Sequence, residues 1–178
     1  MSANILDTET EQERIGIAWW TRAEKIAGRH IGGGDLVFAL HDTFCDDAFE
    51  SDDEFAYALD LAWTCAEYPA RAFDAFYWGQ MFDHLGFVSD GVRAPLPQRV
   101  PTLYRAAIDG DVHGLASWTD DLAVAVTFLA RRPGGEIWVA EGIDPSMVRL
   151  RSNGRSEREW VIDTEYDLSL DIRLHAPA

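Results

Sequence analysis

The spacing of apolar residues predicts helices through the first half of the chain. Apolar side chains recur there every three or four positions, as on the buried face of an amphipathic helix. Such stripes run through Ile15, Trp19, Ala23 and Ile26, through Phe55, Leu59, Ala62 and Trp63, and through Phe73, Phe76, Tyr77 and Leu85. Because an aromatic stripe at helical spacing usually belongs to a core, we expect the aromatic side chains among them to be buried.

Polar residues beside these stripes indicate where two of the helices begin. Thr8 with Glu11, and Ser51 with Glu54, have the spacing of a capping box, in which a hydroxyl and a carboxylate cap the first turn. The acidic cluster at residues 46–54 lacks the alternating acids and central glycine of a calcium loop. Negative charge at the start of a helix explains the cluster without a ligand, because the helix dipole is positive there.

Beyond residue 98 the apolar pattern changes to the alternation that predicts strands. The segments predicted as strands are 102–107, 115–118, Glu136–Glu141, 147–150, 157–162 and 168–174. A helix is predicted at residues 120–131. Residues 89–98 have the composition of a linker, and residues 151–155 have that of a polar loop. The predicted fold class is therefore α+β, with helices first and a mostly antiparallel sheet after them.

Composition narrows the class of protein further. A chain of 178 residues, 47% of them hydrophobic, fits one domain, with a helical half at 1–88 and a β-rich half at 99–175. No stretch approaches the roughly 18 uncharged apolar residues of a membrane helix, and the first residues lack the pattern of a secretory signal. Cys45 and Cys65 are interpreted as buried free thiols, and the histidines show no metal-ligand spacing. We therefore expect a soluble, cytoplasmic protein without a metal.

The net charge is strongly negative. The chain carries 31 acidic and 15 basic residues, a formal charge of −16. Proteins bind nucleic acids through Lys and Arg contacts to phosphate, so direct nucleic-acid binding is not expected. A basic protein partner, or a surface that imitates nucleic acid, is compatible with this charge.

Two sites in the second half are candidates for ligand binding. Arg105 follows Tyr104 in a short apolar strand, where a guanidinium needs a counter-charge or an anionic ligand. Its planar fork suits a phosphate, although an internal salt bridge would also account for it. The second site, Ser117-Trp118-Thr119, lies where a strand gives way to a helix, and Thr119 or Asp120 could simply cap that helix.

Glu157 and Glu159 form a third candidate site, in the predicted strand at 157–162. Residues two apart on a strand face the same way and lie roughly 6–7 Å apart. Two carboxylates held in this way can act as an acid and a base or stabilise a positive charge. A solvated strand edge is the alternative, since this tripeptide pattern is common.

The order and strand context of these three sites resemble the arginine–serine–glutamate pattern of the ADP-ribosyltransferase family. The stretches that carry the resemblance are LYRAA, SWTDDLAVAVTFLA, EIWVAEGI, MVRL and SEREWVID, within residues 101–164. The chain departs from the family at Trp118, where many members have Thr, and at Ala106, where a Gly often follows the arginine. Its helical half is compatible with the helices that precede the sheet in single-domain members.

The resemblance implies that NAD⁺ binds to the half of the chain at residues 101–163. Arg105, next to Tyr104, would hold the pyrophosphate or the nicotinamide ribose. Ser117 would orient the catalytic carboxylate, Trp118 would affect the packing on NAD⁺, and Thr119 would support the turn.

The resemblance also implies which residues act on NAD⁺. Glu159 would be the catalytic glutamate, and Glu157 would face the acceptor. Arg131 or Arg132, at the start of a short loop, would add a contact to phosphate. The implied function is transfer of ADP-ribose from NAD⁺ to a protein side chain, with arginine favoured by the first acid of the pair.

Two alternatives stay open. The same fold could be an inactive acidic module that sequesters a basic or DNA-binding partner, or it could hydrolyse NAD⁺ as a toxin. An acidic helical half with an arginine-lined cleft favours the enzyme. A continuous acidic stripe with a closed cleft favours the binding module.

Overall fold

The fold comes from a computed structural model, which describes residues 10–66, 68–73, 75–164 and 170–176. The helices are α1 (Glu11–Ala27), α2 (Leu36–Cys45), α3 (Asp52–Cys65), α4 (Pro69–Ala72), α5 (Ala75–Leu85) and α6 (Leu122–Ala130). The strands are β1 (Val88–Ser89), β2 (Val92–Arg93), β3 (Leu103–Ala107), β4 (Leu115–Thr119), β5 (Glu136–Glu141), β6 (Val148–Ser152), β7 (Glu159–Asp163) and β8 (Asp171–Leu174). The α+β class is confirmed, with five helices before the sheet and α6 between two of its strands.

The first helix starts later than its predicted cap. Thr10 caps α1, because its hydroxyl accepts from the Glu13 amide while the Glu13 carboxylate accepts from the Thr10 amide. Thr8, the predicted cap, lies outside the described residues. In α3 the Ser51 hydroxyl accepts from the Glu54 amide as predicted, but the Glu54 carboxylate bonds elsewhere, so only half of that capping box forms.

The aromatic stripe predicted to be buried in α5 is partly exposed. The buried residues of this helix are Trp78, Met81, Phe82 and Leu85. Phe76 and Tyr77, predicted as core, are 63% and 38% exposed, so that prediction is wrong. The helix carries two apolar stripes. The stripe that contains Trp78 and Phe82 packs against Trp63 of α3 and is buried.

The described strands form one sheet in the order β2-β1-β6-β7-β4-β3-β5-β8, antiparallel except for the parallel pair β1 and β6. The hairpin of β1 and β2 lies in the segment predicted as a linker. Its turn is Asp90-Gly91, with φ of 50° and 74°, a conformation typical of tight hairpins. Strands of two residues are too short to show an alternating pattern in the sequence.

Other boundaries differ by a few residues. Strand β6 includes Arg151 and Ser152, which the sequence assigns to a loop. The predicted strand at 168–174 corresponds to β8, and its first two residues lie outside the described ranges. Cys45 is exposed and Cys65 is partly exposed, so the prediction of buried thiols is wrong. Within the described ranges, no helix is long and apolar enough to cross a membrane.

Two apolar clusters occupy the two faces of the sheet. The first packs α1, α2, α3 and α5 against Leu150 of β6 and Val161 of β7. The second contains Trp118 of β4 and Trp160 and Ile162 of β7. Because successive side chains of a strand point to opposite faces, Val161 shares the helix-facing side of β7 with Glu159.

Candidate functional site

The pairing of β4 with β7 brings Ser117, Thr119 and Glu159 to one face of the sheet. Thr119 lies opposite Glu159, and Ser117 lies opposite Val161. Trp63 of α3 stands over this face, and its indole N–H donates to Ser117 Oγ and to Glu159 Oε1, at 3.0 Å each. One helix residue therefore holds the serine and the carboxylate together.

Trp63 is a site residue that the sequence analysis places only in the core. Its side chain is almost fully buried, with 1% exposure, so the core assignment is correct but incomplete. A buried indole N–H needs an acceptor, which is the signal that could have directed attention to it. The sequence gives no indication of which acceptor that is, because Ser117 and Glu159 lie in distant strands.

Arg105 of β3 bonds across to the β4 side of the site. The two strands pair antiparallel at Tyr104 and Thr119. Arg105 donates from Nε to the Asp111 carbonyl at 3.0 Å and from a terminal nitrogen to the Ser117 carbonyl at 2.7 Å. Burial lowers the pKa of Arg105 to about 10, against the opposing effect of the Asp111 charge, and leaves the guanidinium protonated at neutral pH.

Glu157 does not belong to the strand that carries Glu159. Strand β7 begins at Glu159, and Arg158 has a left-handed backbone with φ of 48°, so the prediction of two carboxylates on one strand face is wrong. Tertiary contacts hold this turn: Thr119 Oγ1 donates to the Glu157 carbonyl at 2.8 Å, and Arg158 pairs with Asp120 at 2.6 Å. The turn nevertheless leaves Glu157 on the cavity that Glu159 lines.

All the site residues predicted from the sequence line one cavity of about 480 Å³. They are Tyr104, Arg105, Ser117, Trp118, Thr119, Arg131, Glu157 and Glu159. The volume lies within the range of roughly 300–1,000 Å³ that is typical of small-molecule sites. Trp118 contributes least, because it is 2% exposed and its ring packs in the cluster on the opposite face from Ser117.

The helical half adds residues to the cavity that carry no sequence motif. Tyr68 and Arg71 line it, and Arg71 pairs with Asp111 at 3.1 Å. The centre of the Tyr68 ring lies 5.4 Å from the guanidinium of Arg71 and 5.9 Å from that of Arg132. Arg132 also donates to the Ala106 carbonyl at 3.2 Å, which fixes the loop after α6 against β3. The cavity is therefore bounded by both halves of the chain.

Arginine and carboxylate side chains together supply the charged groups of the cavity. Within the described ranges, no three His, Cys, Asp or Glu side chains are grouped so as to hold a metal ion. Four arginines and two glutamates line the same space: Arg71, Arg105, Arg131, Arg132, Glu157 and Glu159. Such a site can bind an anionic group and also stabilise a positive charge that develops beside it.

No protein-family model, curated protein or solved structure matches the chain.

Proposed function

We propose that this protein transfers ADP-ribose from NAD⁺ to an arginine side chain of an acceptor protein, on an ADP-ribosyltransferase-type core. The observation that carries the proposal is the meeting of Arg105, Ser117 and Glu159 on one cavity, although they are distant in sequence. The indole N–H of Trp63 donates to both the Ser117 hydroxyl and the Glu159 carboxylate. This is the arrangement that the resemblance to the family implies.

The arginine side chains that line the cavity support NAD⁺ as the substrate. Four arginines line it in a chain whose formal charge is −16, and Arg105 among them is largely desolvated. A pyrophosphate is the part of NAD⁺ that such groups recognise, through charge-assisted and bidentate hydrogen bonds. The two bonds that Arg105 makes to backbone carbonyls use two of its five N–H donors.

The carboxylates supply the reaction chemistry in this proposal. The bond between C1′ of the ribose and the nicotinamide nitrogen breaks, and its electron pair leaves with nicotinamide, which departs neutral. Glu159 stabilises the positive charge that develops on the ribose, while Trp63 and Ser117 keep its carboxylate in place. Glu157 accepts the proton that the acceptor guanidinium loses as its nitrogen bonds to C1′.

The distribution of charge favours the enzyme over an inactive binding module. The chain up to residue 89 carries 17 acidic and five basic residues, whereas the remainder carries 14 and ten. Acidity is thus concentrated in the helical half, and the cleft beside it is lined by arginines. A module that mimics nucleic acid would need a continuous acidic surface and no such cleft.

The test is nicotinamide release from NAD⁺ by the purified protein, with and without an arginine-rich acceptor protein. We expect release that the acceptor accelerates, together with ADP-ribose attached to acceptor arginines. Release that the acceptor leaves unchanged, with no labelled arginine, would replace transfer with hydrolysis at the same site. No release under either condition would overturn the proposal and leave the binding module.

A further inference from the structure

A patch of exposed rings lies on the helical half, outside the cavity. Its exposed rings are Phe38 of α2 with Phe76 and Tyr77 of α5, and the partly buried rings of His41 and Phe73 contact them. We refer to these five residues as the aromatic patch. Phe38 is 55% exposed, Phe76 63% and Tyr77 38%. Contiguous exposed apolar surface of this kind often marks an interaction site.

The rings of the aromatic patch are held in mutual contact. His41 stacks on Phe73 with centroids 4.7 Å apart and meets Tyr77 edge-on at 5.0 Å. Phe38 meets Phe73 edge-on at 5.6 Å, and Phe76 meets Tyr77 at 5.8 Å. The patch is therefore a preorganised surface and not a set of separate side chains.

Negative charge borders the aromatic patch. Asp42 lies one turn after Phe38 on the same face of α2, with a side chain that is 63% exposed. Asp46 and Asp47 follow at the exposed end of the helix. Ring faces and carboxylates both attract cations, and guanidinium groups in particular stack on aromatic rings.

The aromatic patch is continuous with the rim of the cavity along the chain. Tyr68, Pro69, Ala70 and Arg71 line the cavity. Phe73 follows directly after α4, and its ring lies 6.0 Å from the ring of Trp78, which also lines the cavity. A protein that docks on the patch would therefore lie beside the cavity that Glu157 and Glu159 line.

From these contacts and charges we propose that the aromatic patch docks an arginine-rich segment of the acceptor protein. This inference rests on the proposed function for the identity of the acceptor, but the docking surface stands on its own contacts. Guanidinium groups stack on the exposed rings and pair with the bordering carboxylates. The acidic helical half attracts a basic segment and repels an acidic one.

A binding experiment tests the patch without reference to catalysis. The probe is a synthetic arginine–serine repeat peptide with a fluorescent label, compared with a glutamate–serine repeat peptide by anisotropy. The variants are Phe38→Ser and Phe76→Ser, and the matched control is Ile17→Ser, which changes an apolar residue of α1 that is 58% exposed and lies outside the patch. All three positions are exposed, so the variants should fold.

We expect the arginine peptide to bind and the glutamate peptide not to bind. Each patch variant should weaken binding about threefold and the double variant about tenfold, the scale of exposed cation–π contacts. Ile17→Ser should bind as the original protein does. Equal affinity of the double variant and the original protein would overturn the proposal. A patch that instead joins two copies of this chain, seen as a dimer that Phe76→Ser dissociates, would also overturn it.

An activity measurement then separates this inference from the proposed function. In Phe38→Ser/Phe76→Ser, nicotinamide release without an acceptor should be unchanged, while labelling of a low concentration of acceptor falls about tenfold. Unchanged labelling would overturn the docking role even though the enzyme is active. If the original protein releases no nicotinamide, the proposed function fails, and the peptide titration still decides whether the patch binds arginine.

Discussion

Among single residues, Arg105 bears most directly on which ligand the cavity binds. Its guanidinium is desolvated and bonded to the carbonyls of Asp111 and Ser117, so it is positioned before any ligand arrives. Preorganised cations bind anions strongly, because no side-chain entropy is lost on binding. Arg131, by contrast, is exposed, and its guanidinium lies 5.6 Å from the centre of the Phe128 ring.

We expect Arg105→Ala to weaken NAD⁺ binding at least tenfold. The loss of a charge-assisted hydrogen bond to a phosphate corresponds to about 1.5–3 kcal/mol. Calorimetric titration with NAD⁺ measures the change, and Arg131→Ala is the matched control, with a smaller effect expected from an exposed group. Thermal unfolding of both variants shows whether the loss of the two carbonyl bonds has altered the fold. Equal NAD⁺ affinity in a folded Arg105→Ala protein would remove Arg105 from the binding site.

At the scale of elements, the contact of α3 with β6 contains a buried acid. Asp60 lies one turn before Trp63 in α3, and Ser152 of β6 donates to its carboxylate. Its Oδ1 is buried without a hydrogen-bond partner in the described part of the chain. Burial, together with the smaller effects of the Asp90 and Glu159 charges, raises the pKa of Asp60 from 3.8 to about 7, and the hydrogen bond from Ser152 opposes this shift.

This raised pKa predicts that the contribution of Asp60 to stability is lost as the pH rises. Between the unfolded pKa and the folded one, the native state holds the Asp60 proton more tightly than the unfolded state does. The contribution of Asp60 to the free energy of unfolding should therefore be largest below about pH 4, fall until about pH 7 and then level off, with a size on the order of 2–4 kcal/mol.

Urea denaturation at a series of pH values compares Asp60→Asn with the original protein. Asn cannot ionise, so the stability of the variant relative to the original protein should increase from about pH 4 to about pH 7. The matched control is Asp109→Asn in an exposed turn, which makes the same substitution outside the contact of α3 with β6. A constant difference for Asp60→Asn across this range would contradict the assignment.

The elements that the sequence predicts best are those with strong local patterns. The strand Glu136–Glu141 is predicted to the residue, because its apolar and β-branched run is bounded by turn residues. The turn before Glu159 could not be predicted, since Arg158 adopts its left-handed backbone through contacts with residues that are distant in sequence. The same holds for α5, where the packing of Trp63 decides which of two apolar stripes is buried.

The candidate site follows the same rule. The positions of Arg105, Ser117 and Glu159 could be selected from their order and strand context, and all three line the cavity. Tyr68 and Arg71 could not, because they come from a segment with no motif and reach the cavity through tertiary contacts, of Tyr68 with Arg132 and of Arg71 with Asp111. Local patterns thus find residues on the sheet, while tertiary packing supplies the rest of the site.

At the scale of the whole molecule, the acidic helical half and the arginine-lined cavity have separate roles in this account. We propose that the helices attract a basic acceptor and that the cavity holds the anionic part of NAD⁺. In this proposal the two carboxylates at the cavity divide the reaction, with Glu159 acting on NAD⁺ and Glu157 on the acceptor.

The division of roles between the two carboxylates is tested by comparing Glu159→Gln with Glu157→Gln. Nicotinamide release and acceptor labelling are measured on the same preparations. Glu159→Gln keeps the shape and removes the charge, so both activities should fall about a hundredfold or more, the scale for losing one preorganised stabilising group. Glu157→Gln should lose arginine labelling while slow hydrolysis of NAD⁺ by water survives. Equal loss of both activities in Glu157→Gln would mean that the two acids act as one unit. Full activity in Glu159→Gln would contradict the account.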